Sequence, residues 1–269
     1  MKLEKILAKI NNLKAMLKVL KDLTTPKEFL NTKPKNTFIF DFDNTIINDA
    51  VLLKVVKISS AYDKIKIDKI SELIKKRKIN GRPIIHEILP EINEILGHNI
   101  NKKDFQKALK NLTITDNINN IIREIRSQGY EIFIIGGAYS TCDILLKISE
   151  QLNIKPENIF SGLDSFDKNN NLFFDINKNG FSNCKNGTRI TNDWNKVDVI
   201  KYLKKTNQTK GKIIHIGDGE NDLEVWKSGE VDQFIGFGVN HVSKKVKKEA
   251  PVFVENIEDF EKEINKFIN

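Results

Sequence analysis

The sequence predicts a doubly wound α/β fold, a parallel sheet covered by helices on both faces, with a small helical insertion. Three observations carry this. Short apolar segments recur along the 269 residues, most of them separated by stretches with helical spacing, the alternation expected of parallel strands joined by crossover helices. Two of those segments, Phe38–Phe40 and Ile213–Ile216, run directly into acidic residues. Residues 48–113 carry helical spacing only.

Taken in order, Leu3, Ile6, Leu7, Ile10, Leu13, Met16, Leu17, Leu20 and Leu23 fall three or four apart, with lysines mostly between them. That pattern is a basic amphipathic helix. Its apolar stripe has two readings. It docks on the body or on a second copy of the chain, or it anchors the protein to a lipid surface or an acidic partner. Pro26 and Pro34 mark a linker, which sets residues 1–35 apart. A buried strand at 38–40 follows. Helices are expected near 50–60, 67–78, 83–96 and 102–112, with no strand among them. Asp116 is placed to cap a helix over 117–128 that Gly129 ends. Glu131–Ile135 reads as a strand and 140–152 as a helix. The Asn-, Asp- and Phe-rich stretch 160–180 reads as a hairpin excursion. A helix at 195–205, a strand at 212–216 and short strands near 233–237 and 252–254 complete the series. Residues 36–47 and 114–269 then form the core, and 48–113 a helical cap.

Composition narrows the class. An apolar share of 39% and a charged share of 30% exclude wholesale disorder. No apolar run is long enough to cross a membrane, and no secretory signal is legible at the N-terminus. Two cysteines, Cys142 and Cys184, exclude a disulfide scaffold and make a reducing cytoplasm the default location, with Cys142 read as packing. The net charge is +8, but residues 1–36 hold nine lysines against three acids. The excess therefore sits in one terminal segment and not on a basic face of the body, and no nucleic-acid partner is expected.

The strongest chemical signal is the segment FIFDFDNTI at 38–46. Period-two geometry turns Asp41 and Asp43 toward one face at the end of a buried strand. Burying two carboxylates is costly unless a cation compensates, and a hard divalent ion with oxygen ligands is the natural one. The competing reading makes Asp41 a helix cap and Asp43 a turn residue. The second signal is IIHIGDGENDLEVW at 213–226, where another strand ends in Gly217-Asp218-Gly219 and is followed by Asp222. In a parallel sheet both acid clusters converge on the crevice beyond the carboxyl ends of the strands.

These two motifs, with the block Phe234–Asn240, the lysine-rich stretch after it and Ala250, resemble the haloacid dehalogenase superfamily over about residues 37–260. Within it they look most like the phosphoserine phosphatase branch. The resemblance implies a Rossmann-like core and Mg²⁺-dependent hydrolysis of a small phosphorylated metabolite through an aspartyl-phosphate. Asp41 would be the nucleophile and Asp43 the general acid, then the base. Mg²⁺ would lie among Asp41, the carbonyl of Asp43 and Asp218, with Asp222 supporting that shell or orienting a lysine. Thr45 would steady the loop. Lys196, in Asn-Lys-Val-Asp at a helix start, matches the family's basic residue and would neutralise the transferring phosphoryl charge.

Two departures stand out. The family's second motif ends in Ser or Thr, where this chain has Gly136. The N–H groups of Gly137 and Ala138 would still cradle phosphate at the following helix, with Ser140 or Thr141 as substitute donors. In the cap, the family's substrate-reading acid falls on Ala50, beside Asp49, and its arginine near Ile88. Arg82 and His86, four apart, either line the cap's inner face or form a solvated pair. A small amino-acid ester is therefore not the expected substrate. His215 reads as a core histidine, and His98 and His241 lack metal-ligand companions in sequence. Asp175-x-Asn177-x-Asn179-Gly180 reads as a hairpin turn in preference to a calcium loop. Trp194 either borders the crevice or closes the core. Two functional rivals remain: a catalytically weak scaffold of the same fold, and a phosphatase recruited to a membrane or macromolecule by residues 1–24.

Overall fold

The computed structural model describes residues 35–76, 78–79, 82–83, 85–137, 142–162, 165–173, 180–192 and 195–268, with backbone alone at 78–79, 82–83, 85–86 and 165. The amphipathic segment 1–24, Pro26, Pro34, Ala138, Ser140, Thr141, Trp194 and the Asp175–Asn179 stretch lie outside these residues, as do the side chains of Arg82 and His86.

The first element is β1 (Thr37–Asp41), buried along its length, followed by one wide turn at Phe42–Ile46 that Ile47 N–H closes on the Phe42 carbonyl at 3.1 Å. Then come α1 (Val51–Ser59), α2 (Lys64–Lys76), β2 (Lys78–Ile79), β3 (Arg82–Pro83), α3 (Ile85–Leu96) and α4 (Lys102–Lys110). The antiparallel pair β2–β3 corrects the expectation of helices alone in this insertion. It is only two residues long per strand, too short to leave a periodic signal. The helix α5 (Ile118–Ser127) begins at Asn117, whose left-handed backbone makes no side-chain cap, so Asp116 is not the capping residue expected. Next are β4 (Glu131–Ile135), α6 (Cys142–Gln151), β5 (Ile159–Gly162), the hairpin β6 (Ser165–Phe166) and β7 (Leu172–Phe173), and β8 (Phe181–Asn183). The chain ends with α7 (Lys196–Lys205), β9 (Ile213–Gly217), α8 (Glu220–Lys227), β10 (Gln233–Phe237), α9 (Lys244–Glu249), β11 (Val252–Val254) and α10 (Ile257–Ile268).

Seven strands form one sheet in the order β11-β10-β9-β1-β4-β5-β8, parallel except for β8, which pairs antiparallel with β5 at the edge. The first strand lies at the centre, flanked by β9 and β4, so the chain winds outward both ways. The pleat sends Phe38 and Phe40 into one apolar cluster and Ile39 into the other, and helices cover both faces.

The inserted helices leave and rejoin the sheet at adjacent points. Ile47 and Ile114 bridge antiparallel, Asn48 N–H donates to the Thr113 carbonyl at 3.0 Å, and Thr115 N–H to that of Ile46 at 2.9 Å. The β6–β7 hairpin braces the insertion from the other side. Leu172 N–H donates to the Ile100 carbonyl at 2.7 Å, and Phe105 meets Phe166 edge-on.

Cys142 and Cys184 form a disulfide joining the start of α6 to the residue after β8, with Cα atoms 5.2 Å apart. This corrects the reading of Cys142 as packing alone. A separation of 42 residues hides the contact, which exists because β8 folds back beside β5. Closing a loop of that length stabilises by up to about 4 kcal/mol in the chain-entropy model. Cys184→Ser is therefore expected to lower the denaturation midpoint, and a reductant to lower that of the wild type but not of the variant. Midpoints unmoved by either would show that the bond contributes nothing.

Candidate active site

The central strands deliver the acids. Asp41 is the last residue of β1, and the wide turn after it contains Asn44 in the left-handed region at φ 55°, which asparagine tolerates better than most residues. The turn is pinned from outside. Asn240 donates through Nδ2 to the Asn44 carbonyl at 3.1 Å and to Thr115 Oγ1 at 2.6 Å, while Thr115 Oγ1 donates to the Thr45 carbonyl at 2.8 Å. Thr45 Oγ1 reaches Asp41 Oδ2 at 3.5 Å, at the long limit of a hydrogen bond. Asp43 accepts from Val51 N–H at 2.9 Å, which ties it to the first residue of α1. Its other oxygen approaches Gly137 so closely that a Cβ there would lie 3.1 Å away.

β9 supplies the second cluster. Asp218 follows its last residue, and Asp222 lies in the first turn of α8, where its Oδ2 accepts from Gly219 N–H at 3.1 Å. Gly217 is required here, since a Cβ would lie 2.3 Å from Asp222 Cγ.

Lys196 enters from the first turn of α7, which Asn195 caps by accepting from Val197 N–H at 2.9 Å. The lysine is 1% exposed. Its ammonium donates to Asp41 Oδ1 and, at 2.7 Å, to Asp222 Oδ1. Carboxylate oxygens of Asp41, Asp218 and Asp222 lie within 4.8 Å of one another.

The electrostatics are those of crowded acids with too little positive charge. Burial pushes the Asp41 carboxyl well above the usual range, and the neighbouring acids add to this against the pull of Lys196. Burial also raises Asp218, against the opposing hydrogen bond from His241. Burial would raise Asp222 too, but the charge of Lys196 and the contact with His215 pull it down to about 2. Burial would lower Lys196, yet the carboxylates of Asp222 and Asp41 outweigh it and hold the ammonium above its ordinary value. Three buried, convergent oxygen donors are a set that fits a hard divalent cation.

The structure thus brings Asp41, Asp43, Thr45, Lys196, Asp218 and Asp222 to one rim, with Gly137 beside Asp43. The Asp43 carboxylate is not one of the three clustered acids. Gly136 N–H is taken by the Phe160 carbonyl at 2.8 Å, so at this position the chain offers space and not a hydroxyl. Asp49 pairs with Lys57 at 2.9 Å and Lys54 at 3.9 Å. Two histidines join the site that the sequence reading left outside it. His241 Nδ1 lies 2.8 Å from Asp218 Oδ2, which corrects the reading that it lacks companions, and His215 Nε2 lies 3.0 Å from Asp222 Oδ1. Each carried a signal. His241 follows the carboxyl end of β10, and His215 is the one titratable residue of the buried strand β9, on the same face as Gly217.

A buried carboxylate at the end of β1, held by an ammonium and set beside two further acids that follow the adjacent parallel strand β9, is the arrangement of a phosphoryl-transfer hydrolase of the haloacid dehalogenase type. The chain belongs to the family described as "Putative Phosphatase", whose model matches residues 37–251. It is a phosphoserine phosphatase-like member of that superfamily, a hydrolase of phosphate monoesters. It is 26% identical over 215 residues to the phosphoserine phosphatase of Homo sapiens, covering 80% of this chain and 87% of that one. It is 22% identical over 226 residues to the phosphoserine phosphatase of Methanocaldococcus jannaschii, covering 83% and 93%. A phosphoserine phosphohydrolase-like protein from Francisella tularensis superposes with a TM-score of 0.67 at 24% identity, over 86% of this chain and 99% of that one. At that identity the likeness is one of fold.

Proposed function

We propose that the protein is a Mg²⁺-dependent phosphatase that hydrolyses a small phosphomonoester through an aspartyl-phosphate on Asp41. The observation that carries this reading is the buried Lys196 ammonium bridging Asp41 and Asp222, with Asp218 alongside. Asp41 attacks phosphorus as the bond to the leaving oxygen breaks, and Asp43 gives that oxygen a proton. Asp43 then takes a proton from the water that releases phosphate. Lys196 keeps the nucleophile ionised and faces the transferring charge. Mg²⁺ held by Asp41, Asp218, the Asp43 carbonyl and the support of Asp222 supplies further charge neutralisation when bound. The N–H groups of Gly137 and Ala138 serve as phosphate donors.

Helices α1–α4 act as a cap over the crevice, and Arg82, from its place in the sequence of that cap, is assigned to substrate binding. The relatives named above are phosphoserine phosphatases. Here Asp49 is engaged by two lysines and Ala50 stands beside it, which supports a phosphorylated metabolite other than a small amino-acid ester. The location we propose is the cytoplasm, where the Cys142–Cys184 bond would exchange with the thiol pool. Phosphate release from a panel of phosphorylated metabolites, ranked by kcat/KM, tests the reading. Turnover of at least one that disappears with a chelator supports it. No turnover of any, with metal bound, would overturn it.

The raised carboxyls set the pH dependence of metal stabilisation. An acid whose folded pKa lies above its ordinary 3.8 binds more protons folded than unfolded, so the metal-free protein loses stability as pH rises through that window. Asp222, lowered to about 2, acts oppositely, but only as pH falls from 3.8 toward 2. Mg²⁺ binds the ionised acids and relieves their repulsion. Its increment in Tm should therefore be larger at pH 8 than at pH 5, read by scanning fluorimetry. Equal increments would contradict this.

A further inference from the structure

We propose that His215 is a positioning residue for phosphoryl transfer: it fixes the carboxylate of Asp222 so that Asp222 holds the Lys196 ammonium on Asp41. This rests on the reading of the site as a phosphatase centre. His215 is 0% exposed in the middle of β9, and a buried ring must satisfy its polar atoms. Its Nδ1 lies 3.1 Å from the Ile39 carbonyl, an oxygen that only accepts, so Nδ1 carries a hydrogen. Ile39 and His215 are register partners across β1 and β9, so the sheet itself sets this contact. Phe234 of β10 stacks on the ring, centroids 5.8 Å apart and planes 24° from parallel. Held on both sides, the ring can present Nε2 in one direction only, and there it meets Asp222 Oδ1 at 3.0 Å.

The Asp222 carboxylate is thus clamped by three groups. Gly219 N–H holds Oδ2, while Lys196 and His215 share Oδ1. Without His215 the carboxylate would keep its charge but lose the contact that sets its rotation about the last side-chain bond. Lys196 would then lose a fixed partner and its ammonium would wander from Asp41. The consequence falls on the chemical step and on the metal-facing acids, not on substrate capture from the cap side. Mutation of such outer-layer partners typically costs on the order of 10- to 100-fold in activity or metal affinity.

The test compares His215→Leu, which fills the space without a polar group, with His215→Gln, whose amide nitrogen can stand where Nε2 lies and reach Asp222 Oδ1. Both are made in the full chain and assayed on para-nitrophenyl phosphate, with Mg²⁺ affinity measured by calorimetry. For His215→Leu the expected result is a kcat lower by about 10-fold or more at little-changed KM, with weaker Mg²⁺ binding. His215→Gln should recover most of both losses. Wild-type kcat and Mg²⁺ affinity in His215→Leu would overturn the proposal, as would equal losses in the two variants at unchanged Tm. If His215→Leu fails to fold, His215→Gln and the ring signals of the wild type decide. His215 ring protons with nuclear Overhauser contacts to both Phe234 and Asp222 support the clamp, and a ring that turns away from Asp222 overturns it. A wild type that binds Mg²⁺ but releases no phosphate from any ester would sink the phosphatase reading alone. The Mg²⁺ affinities of the two variants would still judge His215.

Discussion

Asp41→Asn is expected to lower phosphate release by at least about 10³-fold while leaving the fold as stable as the wild type or more so. The two halves of this expectation have separate causes. An amide is a poor nucleophile toward phosphorus, so the covalent route closes. The same change removes one charge from a buried cluster in which Asp41 is pushed up by burial and by Asp222, Asp218 and Asp43. Above the pH at which the wild-type Asp41 ionises, the variant is spared that repulsion, and it retains an oxygen to face Lys196. Steady-state kinetics and a thermal melt on the same preparation check both halves. More than about a tenth of wild-type kcat would remove Asp41 from its role, and a large fall in Tm would show that the activity loss reports unfolding.

Lys196→Met should be harsher on the fold. Its side chain is 2% exposed and is the ammonium between Asp41 and Asp222. Removing one partner of a buried ion pair costs about 3–5 kcal/mol, because the remaining charges stay buried without compensation. The catalytic loss is expected to be about 10²- to 10³-fold in kcat, the scale for deleting one preorganised electrostatic contact. Arginine is a poor substitute, since its planar fork cannot sit as a point charge between two carboxylates. Denaturant unfolding at pH 7, with and without Mg²⁺, checks the stability, and Mg²⁺ should restore part of it by supplying the missing positive charge. A loss under about 1 kcal/mol with near-normal kcat would mean that Lys196 neither neutralises nor steers.

The parts of the site that were legible in the sequence are those that follow strands. Asp41 and Asp218 stand where a buried apolar run ends, and a parallel sheet has only one place for such ends to meet. Lys196 was legible only through its order between the motifs, in a chain with many lysines. What could not be read was whichever contact depended on a neighbour distant in sequence. His215 looks like any core histidine until β1 and β10 close around it. His241 has no ligand companion within several residues, yet it sits on Asp218 because β10 ends beside β9. Cys142 and Cys184 looked unrelated because the return of β8 along β5 leaves no periodic mark.

From the residues alone came the class of fold and the acids that stand where β1 and β9 end. These follow from local pattern, namely apolar period, strand ends and the cost of burying charge. The folded chain alone determined which groups share an oxygen. The Lys196 ammonium lies between Asp41 and Asp222, and His215 lies behind Asp222, because hydrogen bonds form over about 3 Å while sequence patterns specify only which face a residue takes.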